Sequence, residues 1–137
     1  MNDLLLDTCA ALWMLSEAAL QRGTEDAIAQ AVQAGGRLFI SPISAWEVGL
    51  LLARGKLTLP FSPNEWYARL TALSDQSIAP LTETILIASH FLPGTPPKDP
   101  MDRLMIAAAR DRGLRIVTRD RLILSYAERG HVMALPC

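Results

Sequence analysis

Apolar residues recur along the chain with two different periods, and the alternation between them sets the expected order of elements. Leu4-Leu5-Leu6 is a continuous apolar run closed by Asp7, and residues 3–6 read as a short buried strand. From Thr8 the run Cys9-Ala10-Ala11-Leu12-Trp13-Met14-Leu15 reads as a helix that Asp7 or Thr8 can cap. A second helix is expected from about Thr24 to Ala34, stopped by Gly35-Gly36, and Arg37-Leu38-Phe39-Ile40-Ser41 is the next strand. Pro42 leads into a helix from about Ile43 to Arg54, ended by Gly55. Leu57 to Pro63 reads as a loop, followed by a helix around Asn64 to Leu73 and a short strand near Ile78-Ala79-Pro80-Leu81. A helix from Thr82 to about His90 precedes the Pro93-Gly94-Thr95-Pro96-Pro97 loop. Asp99-Pro100 opens the most regular helix, which runs through Arg112 and stops at Gly113. Leu114 to Thr118 is a strand, Arg121 to Glu128 a last helix, and His131 to Leu135 a last short strand.

Short apolar runs alternating with helices imply an α/β fold: a three-layer α/β/α sandwich around a mostly parallel sheet of four to five strands. Residues 1–137 are expected to form one domain, with the Pro/Gly-rich stretch a surface loop inside it and no linker between two halves. In such a sheet, ligands bind at the carboxyl ends of the strands, near a reversal of strand order. Asp7 and Asp120 each fall at the carboxyl end of an expected strand, so the fold would bring them to one rim.

Composition narrows the picture without changing it. Half of the 137 residues are apolar and one-fifth are charged, as in a soluble globular protein. No apolar stretch reaches the roughly 20 residues needed to cross a bilayer, and Asp3 and Asp7 stand where a signal peptide would carry basic residues, so a cytoplasmic protein with no membrane association is expected. Cys9 and Cys137 form no disulfide framework and have no metal-binding spacing; they read as reduced thiols, one packed in a core helix and one on the tail. A net charge of −1 argues against binding nucleic acid by bulk positive charge. The stretch from Lys98 to Arg129 nevertheless holds eight basic residues against five acids, which leaves arginines free to meet phosphates if the acids hold metal.

The candidate chemistry lies in four acids placed where acids are costly. Asp7 ends the first apolar run, Asp120 follows Ile116-Val117-Thr118, and Glu47 and Asp102 interrupt apolar helical stripes. Ile43, Trp46, Glu47, Leu50 and Leu51 share one helical face, as do Asp102, Met105, Ile106 and Ala109. Each acid has a local explanation: Asp7 and Asp120 as helix caps, Asp102 at a helix start beside its dipole after the Asp99 cap, Glu47 reaching solvent or Arg54. Together they ask for a counter-charge, because an ionised carboxylate removed from water costs several kcal/mol unless it is paired or bound to metal. A carboxylate cluster without His or Cys suits Mg2+, with Mn2+ as the alternative, and the reaction that needs such a site is metal-assisted phosphodiester hydrolysis. Thr118 and Ser41 follow strands and are placed to position water or phosphate. There is no Gly-rich phosphate loop and no nucleophile elbow, and His90 and His131 are too few for a zinc site or a histidine triad. Trp13, Trp46 and Trp66 read as core or subunit-interface packing.

Five segments carry a resemblance to a known family: Leu4-Leu5-Leu6-Asp7-Thr8-Cys9-Ala10-Ala11-Leu12-Trp13, Ser41-Pro42-Ile43-Ser44-Ala45-Trp46-Glu47-Val48, Gly55-Lys56-Leu57, Asp99-Pro100-Met101-Asp102 through Ala108, and Val117-Thr118-Arg119-Asp120. In this order and spacing they resemble a PIN-domain ribonuclease of the VapC toxin type, over essentially the whole chain. The resemblance implies that Asp7, Glu47, Asp102 and Asp120 form a magnesium-binding acidic pocket, with Asp99 an outer acid behind them. It further implies an RNA substrate cut by a metal-activated water, a homodimer, and inhibition by a cognate antitoxin. Lys98 stands where many relatives carry His before Asp-Pro, and Cys9 where the residue after Asp-Thr is often His. Two other readings remain beside it. An Asp after a first strand can be a phosphohydrolase nucleophile, though Cys9 occupies the place of the second acid that class uses. A non-catalytic binding module would keep the acids as caps and partner contacts.

Overall fold

The first three residues of the sheet, Leu4–Leu6 (β1), bury every side chain they have, because helices cover them from both sides. A computed structural model describes residues 3–16, 22–73 and 76–137. Within them β1 is followed by α1 (Thr8–Met14), α2 (Arg22–Gln33), β2 (Leu38–Ile40), α3 (Pro42–Ala53), α4 (Pro63–Thr71), β3 (Gln76–Ile78), α5 (Glu83–Ala88), α6 (Pro100–Arg112), β4 (Arg115–Thr118), α7 (Arg121–Glu128) and β5 (Met133–Pro136). The five strands make one sheet in the order β3-β2-β1-β4-β5. Every pairing is parallel, so the expected mostly parallel sheet is wholly so.

Alternation along the strands divides the core in two. Leu4, Leu6 and Val117 face one side with Ala10, Ala11, Val48, Trp66 and Leu70, while Leu5 and Ile116 face the other with Met105, Ile106, Ile123 and Tyr126. This gives the α/β/α sandwich: α1, α2 and α4 on one face, α5, α6 and α7 on the other. Chain order runs outward from β1 to β3 on one side and from β4 to β5 on the other, so the order reverses between β1 and β4. A crevice opens at the carboxyl ends of those two strands.

Several expectations shift. The third strand is Gln76–Ile78, ahead of the expected Ile78–Leu81. It pairs Gln76, Ser77 and Ile78 with Leu38, Phe39 and Ile40, Ala79 still donates its N–H to Ile40 O at 2.8 Å, and Pro80 has no N–H to continue the ladder. The last strand begins at Met133, two residues late, because His131 turns back to lie against the Tyr126 ring at 4.9 Å. Trp46 does not join the buried stripe of α3; it is 56 % exposed, and Ile43, Ser44 and Val48 are the buried positions. The helix packs against α1, α4 and α6, and Trp46 lies on the side they leave uncovered. Trp66, by contrast, is core. The two cysteines exchange their expected places: Cys9 is half-exposed on α1, while Cys137 is buried against the first core. Among the described residues, no helix is long and apolar enough to cross a membrane.

Candidate active site

Asp7 is held by the sheet itself, since its N–H donates to Val117 O at 3.0 Å and so ties the end of β1 to β4. Its side chain is fixed from two directions: Oδ1 accepts the Thr8 N–H at 2.8 Å, capping α1, and Oδ2 accepts the Thr118 hydroxyl at 2.6 Å. Asp120, two residues beyond β4, caps α7 by accepting the N–H groups of Leu122 and Ile123 at Oδ1, at 2.9 and 3.1 Å. Its own N–H donates to Thr118 Oγ1 at 3.0 Å. Both acids are therefore caps, as their sequence context permits, and the cap leaves the second oxygen of Asp120 available.

Glu47 reaches the same rim from α3, where its Oε1 accepts the Thr8 hydroxyl at 2.7 Å. Behind that contact Thr8 Oγ1 lies 3.0 Å from Ser44 Oγ. Asp102 is in the first turn of α6, and its N–H is capped by Asp99 Oδ1 at 3.2 Å, alongside Met101 N–H at 2.7 Å. Among the described residues no hydrogen bond holds the Asp102 carboxyl. Asp7, Glu47, Asp102 and Asp120 line one cleft of about 320 Å³, with Thr8, Cys9, Leu12, Leu51 and Arg119 as its other walls. Asp99 stands outside that lining as the cap of α6, and Thr118 stands behind Asp7. A larger hollow of about 900 Å³ runs beside β5, lined by apolar residues with Arg110, Arg115, Glu128 and His131. It contains none of Asp7, Glu47, Asp102 and Asp120.

Electrostatics bind the four acids into one group. Burial, then the charges of Asp120, Asp99, Asp7 and Glu47, push the Asp102 carboxyl from 3.8 up to about 7. Burial also raises Glu47, opposed by the Thr8 hydrogen bond and reinforced by Asp7, Asp99 and Asp120. Burial raises Asp7, opposed by hydrogen bonds from Thr118 and Thr8 and reinforced by Asp120. Among the described residues the one ion pair is Arg69–Glu65 on α4, so no cation neutralises these acids. Arg119 lines the cleft without a salt bridge to any of them.

A model of the PIN domain family matches residues 4–129. The chain belongs to the PIN-domain family. Ribonuclease VapC22 of Mycobacterium tuberculosis (strain ATCC 25618 / H37Rv) is 30% identical over 126 residues, covering 92% of this chain and 93% of that protein, which makes this PIN domain a homologue of the VapC ribonucleases. Among solved structures, VapBC2 from Rickettsia felis bound to a DNA fragment from its promoter superposes with a TM-score of 0.62 at 13% identity, covering 97% of each chain. FitAcB from Neisseria gonorrhoeae superposes at 0.59 with 18% identity and 96% of each chain. FitAB bound to an IR36 DNA fragment superposes at 0.62 with 15% identity, covering 97% of this chain and 94% of that one. At these identities the superpositions establish the shared PIN fold.

The donor set of this PIN domain is all oxygen, half-buried and uncompensated, which fits a hard divalent cation. The fit is to an open cleft, not to a closed cage: among the described residues no three His, Cys, Asp or Glu side chains are already drawn together closely enough to hold an ion. Four like-charged groups have no reason to close on one another without a cation between them. Ser41 lies outside the cleft lining, where its Oγ accepts the Ile43 N–H at 3.1 Å as the cap of α3. Thr8, Ser44 and Arg119 are not among the site residues expected from sequence, and Cys9 stands there only as a departure from the family pattern. Ser44 has a readable signal, standing three residues before Glu47 and therefore on its face of the helix; Arg119 is one of the arginines expected to meet phosphates.

Proposed function

We propose that this PIN domain, residues 1–137 acting as one unit, is a Mg2+-dependent endoribonuclease, with Mn2+ able to substitute, and that it is the toxin of a toxin–antitoxin pair in the cytoplasm. Asp7, Glu47, Asp102 and Asp120 would hold the ion through carboxylate oxygens. When bound, the ion supplies Lewis acidity and brings the ionisation of water toward neutral pH. The chain's own residues do the rest. Thr118 and Thr8 set the orientation of Asp7, Asp120 N–H keeps the Thr118 lone pair engaged, and Arg119 offers a guanidinium to the phosphodiester at the cleft wall.

The observation that carries this reading is the meeting of four acids from the β1–α1 junction, α3, α6 and the β4–α7 junction in one cleft where, among the described residues, no Lys or Arg forms an ion pair with them. The homologous VapC ribonuclease supports RNA as the substrate, and the VapBC and FitAB structures support a cognate antitoxin as partner. A homodimer is supported by the apolar outer side of α5, where Leu86 and Ile87 are exposed and Phe91, just past its end, is 79 % exposed.

Purified protein should cleave RNA with Mg2+ or Mn2+ and stop when the ion is chelated. Asp7→Asn and Asp102→Asn should each abolish cleavage while remaining folded by circular dichroism. Full cleavage by both variants would refute the assignment of these residues. A second reading draws on the caps that Asp7, Asp99 and Asp120 form: a metal-free binding module held together by its acids. In that case wild-type protein would cleave no RNA under any metal condition, and Mg2+ would act on its melting only as salt does.

A further inference from the structure

We propose that Ser44 and Thr8 form a directional hydroxyl relay that positions Glu47 in the acidic cleft, with Glu47 fixing its direction and Ser44 donating from behind. The proposal rests on the nuclease reading for its kinetic consequence, but its geometry stands alone.

Ser44 is 0 % exposed and Thr8 is also buried, so neither hydroxyl can turn to solvent for a partner. Thr8 Oγ1 donates to Glu47 Oε1 at 2.7 Å. A hydroxyl has one proton, and a carboxylate can only accept, so the Thr8 proton is committed to Glu47. The 3.0 Å contact between Thr8 and Ser44 must then run the other way, from the Ser44 hydroxyl to a lone pair on Thr8 Oγ1. Donation from behind polarises the Thr8 O–H toward the carboxylate. The same residue gives its backbone N–H to Asp7 Oδ1 at 2.8 Å. Thr8 therefore sets two acids relative to each other, although they are forty positions apart in the chain and sit on different elements.

The opposite wall repeats the device. Thr118, also buried, donates its hydroxyl to Asp7 Oδ2 and receives the Asp120 N–H on the same oxygen. The chain of contacts from Ser44 through Thr8, Asp7 and Thr118 to Asp120, with Glu47 on Thr8, braces three of the four acids, and among the described residues none braces Asp102. A long, half-buried Glu side chain needs such support more than the shorter Asp7 does, because it has more rotatable bonds to hold still.

Ser44→Ala, Thr8→Val and Thr8→Ser test the relay. In Ser44→Ala and Thr8→Val the Mg2+ concentration giving half-maximal cleavage should rise about tenfold, with the KM for RNA unchanged, and Thr8→Ser should restore it. A residue that only packs would lower Tm in chelator and leave the Mg2+ requirement as in the wild type; that result overturns the proposal. Should Thr8→Val fail to fold, Ser44→Ala and Thr8→Ser carry the comparison. Should wild-type protein neither bind Mg2+ nor cut RNA, the nuclease reading falls, and crystal structures then decide the relay. A Glu47 side chain that loses its single conformation in Ser44→Ala supports it, and one unchanged from the wild type overturns it.

Discussion

Asp102 carries an electrostatic cost that no ion pair among the described residues offsets. Its carboxyl is pushed to about 7 in the fold against 3.8 for an unperturbed group, so the folded state holds a proton more tightly than the unfolded state between those values. A folded-state value raised in this way contributes stability at low pH that is lost as pH rises through about 7. In chelator, Tm should therefore fall as pH is raised from 5 toward 8, and Asp102→Asn should abolish most of that fall. Because the side chain is half-exposed, solvent screening reduces the effect to about 1 kcal/mol, or about 2–6 °C in Tm at pH 8, with the variant the more stable. A variant less stable than wild type in chelator at pH 8 would show that the carboxylate is compensated after all. Binding of Mg2+ removes the same cost, so the apparent Mg2+ affinity should rise across pH 6–8, measured by titration calorimetry. At this scale the sequence was half legible: all four acids stood out, but the choice between cap and ligand did not, because the structure makes Asp7 and Asp120 caps at the rim of the cleft.

Caps decide where the helices begin, and their chemistry is local enough to be read from residue order. Asp99-Pro100 starting α6, Gly113 ending it in a left-handed conformation at φ 67, and Asp120 opening α7 all lie where the sequence places them. Asp99 tests the difference between a capping acid and a functional one. Asp99→Ala should cost about 1 kcal/mol, while Asp99→Ser, which keeps an oxygen for Met101 N–H, should recover most of it. Both should retain RNA cleavage, since Asp99 lies outside the cleft lining; loss of cleavage in Asp99→Ser at wild-type stability would make it a site residue. Strands were less legible than helices. Gln76-Ser77 carries no apolar run, and only the register against Leu38 and Phe39 makes it a strand. On α3 the core expectation for Trp46 fails and only the subunit-interface one remains, because periodicity shows which residues share a face but not how wide a face the neighbours cover.

For the whole molecule, the arrangement that matters is the reversal of strand order between β1 and β4, which sets Asp7 and Asp120 on adjacent strand ends and lets α3 and α6 bring Glu47 and Asp102 to the same opening. Four elements then share one charge problem, and an ion that solves it stabilises the fold as a whole. Mg2+ at about 100 times its Kd should add about 2.7 kcal/mol to unfolding, seen as a Tm increase that chelation reverses and that NaCl at equal ionic strength does not reproduce. Asp102→Asn should lose most of this increase. A wild-type Tm that responds to Mg2+ no more than to NaCl would count against a metal site.

The order of elements, the helix caps and the identity of the four acids follow from the sequence, because capping, turn formation and apolar periodicity depend on residues within a few positions of one another. The cleft, the Ser44–Thr8–Glu47 contact, the exposure of Trp46 and the burial of Cys137 belong to the tertiary structure. Each depends on which strands are neighbours and how far a helix overhangs the sheet. Those are properties of long-range pairing, and no local pattern of residues encodes the distance between Thr8 and Glu47.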